Sequence, residues 1–192
     1  MHPIRPSVTI GPFVTGSKRV RTRSRACLTA LLLVAGGCVE RTTAASDPMV
    51  AIAALRPTQG YRTSGFVRFE TLDGRLRVHS EVSGLAPGAH GYHVHVYGDC
   101  SAGDASSAGP HFDFLGSPAA AGRITGNLGE LVAEASGRAE HESEVEHAGL
   151  LGPRSILGRA VVVHERGNDP QAPPSGNAGA PVACGVIGVA KP

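Results

Sequence analysis

The chain has 192 residues and a mass of 19.6 kDa, which fits one domain with tails better than two domains. Apolar residues make up 41% and charged residues 18%, excluding a disordered polyelectrolyte and a bundle of membrane helices. Glycine (26) and proline (14) are abundant and tryptophan is absent, so short strands joined by turns fit better than long helices.

The formal charge of +2 hides an uneven distribution. Arg5, Lys18, Arg19, Arg21, Arg23 and Arg25 all precede Cys38, in a stretch without a single acid. From Cys38 onward twelve basic residues face sixteen acidic ones, a net of −4. The basic character belongs to the leader, and nothing in the body points to a nucleic-acid partner.

Lys18 to Arg25 is a basic run, followed by the apolar stretch ACLTALLLVA at 26–35. About ten residues cannot span a bilayer, but that length suits the apolar part of a secretory signal. The stretch ends in Ala35-Gly36-Gly37-Cys38, which resembles a bacterial lipoprotein box. An ordinary signal peptide with an incidental cysteine is the alternative. The expected organisation is a leader at 1–37, a lipidated Cys38 with a flexible tether at 38–48, and a domain at 49–192. The protein would then be exported and held by its lipid to a membrane, facing the periplasm or the cell exterior. Cys27 falls in the leader, which leaves Cys100 and Cys184 as an even pair in an oxidising compartment, expected to form a disulfide.

The body alternates apolar and polar residues between turn sequences. Strands are expected at 50–56 (VAIAALR), 64–70 (SGFVRFE), 75–82 (RLRVHSEV) and 91–98 (GYHVHVYG). A long loop follows at 99–126, and strands resume at 128–135, 139–147 and 158–165. A second long loop leads to the last apolar strand at 183–190. Eight short strands give an all-β antiparallel sandwich or flattened barrel, and structureless loops of such length are usually functional.

Histidines mark the chemistry. His93 and His95 stand two apart, so in a strand both project from one face while Tyr92, Val94 and Val96 project from the other. His111 lies in the first long loop, and His164 closes the run Val161-Val162-Val163. Four imidazoles from two strands and a loop suit Cu(II) or Zn(II). An H-x-H alone is a weak metal signal. His79, His141 and His147 sit among Arg, Glu and Ser and read as ordinary strand histidines; His90, in a Gly-rich turn, reads as a hydrogen-bonding residue.

Four segments in order, GYHVH (91–95), SAGPHF (107–112), GRAVVVHE (158–165) and GNAG…ACGVIG (176–188), resemble the copper–zinc superoxide dismutase family. The likeness covers roughly residues 50–192. It implies an eight-stranded Greek-key fold, copper held by His93, His95, His111 and His164, a bridge from His111 to zinc, and a Cys100–Cys184 disulfide. Cys100, five residues after His95, resembles its placement in bacterial secreted members.

The chain also departs from that pattern. The loop from Phe112 to Gly129 has no histidine after His111, and Ile124 and Asn127 occupy positions where the family has a zinc histidine and a zinc aspartate. The other zinc histidine has no counterpart. Asn168 stands where the family has an aspartate linking the two metal sites, with Asp169 as a possible substitute after a one-residue shift. Zinc needs about four N, S or O donors, so a copper-only site is expected, with the distal nitrogen of His111 protonated and hydrogen-bonded. The family's anion-guiding arginine is Pro181 here, leaving Arg166 and Arg123 as candidate cations. The expected activity is copper-dependent conversion of superoxide to O2 and H2O2. The alternative is a copper-buffering or copper-delivering lipoprotein on the same fold.

Overall fold

The computed structural model describes residues 49–116 and 122–191. The expected leader, Cys38 and most of the tether lie outside the described residues. Eight strands follow one another: β1 (Val50–Pro57), β2 (Ser64–Leu72), β3 (Arg75–Ser83), β4 (Gly88–His95), β5 (Asn127–Ala133), β6 (Ala139–Val145), β7 (Ala160–His164) and β8 (Pro181–Ala190). The only helical element among the described residues is a 3₁₀ turn at Ser106–Ala108.

The strands form one sheet in the order β5-β4-β7-β8-β1-β2-β3-β6, with every neighbouring pair antiparallel. The sheet curls until its two edges meet, where Ser143 Oγ on β6 donates to the Leu128 carbonyl on β5 at 3.0 Å. The result is a nearly closed Greek-key barrel. Strand β4 differs from its expected bounds, starting and ending three residues earlier. Ala89 and His90 still pair with Val132 and Leu131 of β5, whereas Val96 N–H turns to the loop carbonyl of Pro110 at 2.9 Å.

Alternation fixes which face is which. Ala51, Ala53 and Leu55 of β1, Val67 and Phe69 of β2, Leu76 and Val78 of β3, Tyr92 and Val94 of β4, and Val161 and Val163 of β7 meet in the barrel interior. Burial of each Val, Leu or Phe there contributes about 1.5–3 kcal/mol. A second, small cluster of Ala105, Ala108, Ala160, Val162 and Cys184 packs with Cys100. It fastens the first long loop to β7 and β8. The Cys100–Cys184 disulfide spans this cluster with a Cα–Cα distance of 5.8 Å, as the sequence led one to expect.

Candidate metal centre

Because Tyr92 and Val94 point inward, His93 and His95 point outward from β4, and both are buried beneath the loops. Strand β7 lies beside them, with His93 opposite Val162 and His95 opposite Ala160, and ends at His164. The first long loop returns beside the end of β4 that extends past its pairing with β5. Phe112 N–H donates to the Val94 carbonyl at 2.7 Å, Val94 N–H donates to Gly126 at 2.8 Å, and His111 forms a bridge with His95. Topology thus delivers His111 and His164 to the pair that parity had already aligned.

One ring nitrogen from each of His93, His95, His111 and His164 lies within 4.8 Å of the others. The rings crowd together, with centroids of 4.1 Å for His93–His111 and 4.8 Å for His95–His111. His93 Nδ1, His95 Nε2, His111 Nδ1 and His164 Nε2 are buried without a hydrogen-bond partner. Each such orphan costs about 1–3 kcal/mol, and one ion at their meeting point would satisfy all four. The donor set therefore fits a metal that favours imidazole. Among the described residues it is the only group of three or more His, Cys, Asp or Glu side chains placed to hold one.

The opposite nitrogens fix the rings. His95 Nδ1 donates to the Gly109 carbonyl at 2.7 Å, His164 Nδ1 to Gly179 at 3.0 Å, and His93 Nε2 to Asn168 Oδ1 at 2.8 Å. The other side of the His111 ring faces the backbone at Thr125 and Pro174. Burial is the main reason these rings stay neutral. It pushes His93 down to about 2, with the neighbouring His111 and His164 adding to the effect, and moves His95 to about 4 and His111 to about 3. Burial lowers His164 as well. Four neutral imidazoles are what a cation requires.

Asn168 is clasped from three sides. Its Nδ2 donates to Asn127 Oδ1 at 3.2 Å and to the Gly129 carbonyl at 3.3 Å, while its backbone N–H donates to Glu130 Oε1 at 2.6 Å. Gly91 makes room for it, since a Cβ there would lie 2.5 Å from Asn168 Oδ1. Asp169 does not take this place; its carboxylate accepts the N–H of Gln171. Ile124 packs its hydrocarbon toward Gly176. Glu130 gave no sequence signal, because its role is to hold a backbone group of a distant loop.

The remaining residues fall outside the cluster. His90 lies between the carbonyls of His164 and Ala86, each at 2.8 Å, the hydrogen-bonding role its turn suggested. His79 pairs with Glu81 and Glu142, and His147 with Glu146. Arg123 is engaged by Asp113 at 2.8 Å, whereas Arg166 is exposed and reaches the Asn177 carbonyl at 3.3 Å. Pro181 opens β8 opposite His164, half-buried, with its carbonyl accepting from Thr58 Oγ1.

This geometry agrees with comparison to known proteins. The family model described as copper/zinc superoxide dismutase matches residues 63–187. The chain belongs to the copper/zinc superoxide dismutase family. Among curated relatives, superoxide dismutase [Cu-Zn] A of Xenopus laevis is 44% identical over 135 residues, 65% of this chain and 88% of that protein. Superoxide dismutase [Cu-Zn] of Onchocerca volvulus is 41% identical over 154 residues, covering 72% and 95%. Extracellular superoxide dismutase [Cu-Zn] of Brugia pahangi is 39% identical over 152 residues, covering 72% and 75%. Membership in this family makes the chain an oxidoreductase.

Proposed function

We propose that the protein is a copper-dependent superoxide dismutase that works with copper alone, outside the cell membrane. The observation that carries this reading is the convergence of four partnerless, neutral imidazole nitrogens from His93, His95, His111 and His164. Copper bound there would supply the one-electron couple that oxidises one superoxide to O2 and reduces a second to H2O2. The protein's own part is to hold four lone pairs in place: the Gly109 and Gly179 carbonyls and Asn168 Oδ1 each accept the opposite N–H, and so choose the tautomer.

Support for the absence of zinc comes from the donor count. At the positions where the family has its zinc histidine, its zinc aspartate and the linking aspartate stand Ile124, Asn127 and Asn168, two amides and a hydrocarbon. The loop residues 117–121 are Ser-Pro-Ala-Ala-Ala and add no His, Cys, Asp or Glu. On its other side the His111 ring faces the backbone at Thr125 and Pro174, which brings no zinc-donor side chain to it. Export and anchoring rest on the Lys18–Arg25 run, the apolar 26–35 stretch and the Ala35-Gly36-Gly37-Cys38 box, and a relative named as extracellular agrees with export.

Pro181 favours a second reading, a copper-holding lipoprotein of low turnover, because it puts no charge where the family guides its anion. One experiment separates the two. The domain beginning at Val39 is loaded with copper and zinc together, dialysed, assayed for both metals and tested for superoxide consumption. One copper, negligible zinc and catalytic consumption are expected. Tight copper without consumption selects the binding protein, and stoichiometric zinc overturns the copper-only site.

A further inference from the structure

Tyr92 is the largest fully buried side chain of the barrel, and its place among alternating core residues explains the ring but not the hydroxyl. That hydroxyl donates to His141 Nδ1 at 2.8 Å and accepts from Ser80 Oγ at 3.2 Å. The two rings meet edge to face, with centroids 5.8 Å apart and planes at 88°. His141 is tightly seated, because a Cβ on Gly129, where φ is +122°, would lie 2.5 Å from its Cε1. Its ring is half-buried and lines a groove of about 740 Å³ along the β5–β6 seam, with Gly129, Glu130 and Glu144. Burial also lowers the pKa of His141, which leaves Nδ1 free to accept a proton. At its other end Tyr92 is joined by a single peptide bond to His93, one of the four clustered imidazoles.

We propose that Tyr92 and His141 form a redox relay that conducts oxidising equivalents away from the histidine cluster to the groove. The inference rests on the copper reading above, since it takes H2O2, the product of dismutation, as its oxidant. When H2O2 meets the reduced protein, two electrons convert it to two waters. One would come from copper held at the cluster as Cu(I), leaving Cu(II), and the other from the Tyr92 ring. The phenolic proton moves to His141 Nδ1, and two further protons from solvent complete the waters. What remains is a neutral tyrosyl radical hydrogen-bonded to a histidinium. A small one-electron donor of the ascorbate class at the groove returns the electron, and the proton passes back from His141. Without the relay the second electron would have to come from another side chain near the site, the four clustered imidazoles among them.

Rapid-freeze electron paramagnetic resonance of the copper-loaded, reduced protein mixed with H2O2 tests this. A tyrosyl signal is expected in the parent and in Tyr61→Phe and Tyr97→Phe, and it should be lost in Tyr92→Phe. His141→Gln keeps the phenol but removes the basic nitrogen, and should lower the yield several-fold. Mass spectrometry should find more oxidised histidine among His93, His95, His111 and His164 in Tyr92→Phe than in the parent at equal peroxide. An undiminished signal in Tyr92→Phe, or a full yield in His141→Gln, overturns the relay. The Cu(II) signal in the same spectra reports separately on the metal. A metal-free arm, in which photogenerated ruthenium(III) tris-bipyridine oxidises the protein, should give the same Tyr92 radical, more slowly in D2O. That arm tests the Tyr92–His141 pair as a proton-coupled electron donor even if the copper reading fails, and no Tyr92 radical there overturns the relay.

Discussion

His93 Nε2 lies 2.8 Å from Asn168 Oδ1, and an amide oxygen can only accept. The proton must therefore sit on Nε2, which leaves the Nδ1 lone pair exposed to the other three rings. Removing the amide in Asn168→Ala should let the ring turn and weaken copper binding by about 10–100-fold. Asn168→Asp, whose carboxylate also accepts, should retain most of the affinity. Competition with a chelator of known affinity measures both. Equal copper retention by Asn168→Ala would show that β4 alone orients His93.

The metal-free protein should lose stability in acid through its neutral histidines. An unfolded histidine titrates near 6.5, whereas His95, His111 and His93 in the fold do so only at about 4, 3 and 2. Between those limits the unfolded chain binds more protons, so stability rises with pH up to about 6.5–7 and then levels off. Urea unfolding at a series of pH values should show the midpoint falling as pH drops from 6.5 toward 4. A midpoint unchanged over that interval would contradict the buried, neutral cluster.

Pro181 bears on rate. A cation at a channel mouth focuses the field on an incoming anion; on the proposed correspondence this chain has Pro181 in place of that cation, on a body of net charge −4. The reaction should be slower than in a relative with arginine, and its fall with ionic strength shallow, because there is little field to screen. Pro181→Arg should raise the rate and steepen the salt dependence. No backbone hydrogen bond is lost, since proline had no N–H to give. A parent already near 10⁸–10⁹ M⁻¹s⁻¹ would assign the steering to another cation, with exposed Arg166 the first to replace.

The disulfide closes a long loop. Its two cysteines are 84 residues apart, and chain-entropy reasoning gives such a closure about 4 kcal/mol. Reduction should lower the unfolding free energy by about that amount. It should also loosen the segment around Ala105 and Gly109 that holds His95. Denaturant titration with and without reductant, followed by copper retention, checks both effects.

Anchoring can be tested apart from the fold. Cys38→Ser should abolish incorporation of labelled lipid and release the protein from membranes, with circular dichroism of the domain unchanged. If the parent takes up no lipid, an ordinary signal peptide is the correct account.

Alternation made most of the barrel legible. Leu76, Val78 and Val82 of β3 alternate with polar residues and fall inward as period two requires, whereas β7 is an unbroken apolar run buried at every position, with Val161 and Val163 in the barrel and Ala160 and Val162 in the second cluster. The ends of β4 differ from the sequence expectation because His90 looks like a turn residue by composition but pairs with Leu131, while Val96 is strand-like but has only a loop beside it. His93 and His95 could be aligned by parity alone. The company of Asn168, Glu130 and Asn127 could not, because it depends on how two distant loops close over β5. The same limit hid the Tyr92–His141 contact. The sequence places one residue on the apolar face and the other among Glu and Ser, and only the closed barrel sets them 2.8 Å apart.

The carbonyls of Gly109 and Gly179 have a consequence for the order of assembly. Each belongs to a loop, and each decides which nitrogen of His95 or His164 carries the proton. With either loop open, its ring would present no defined donor even with β4 and β7 paired side by side. Metal uptake is therefore expected to follow loop closure, and a chain with a complete barrel but open loops would be recognisable by its failure to retain the ion. Escape of the ion must wait for the same loops to lift, so the residence time of copper would measure their opening rate.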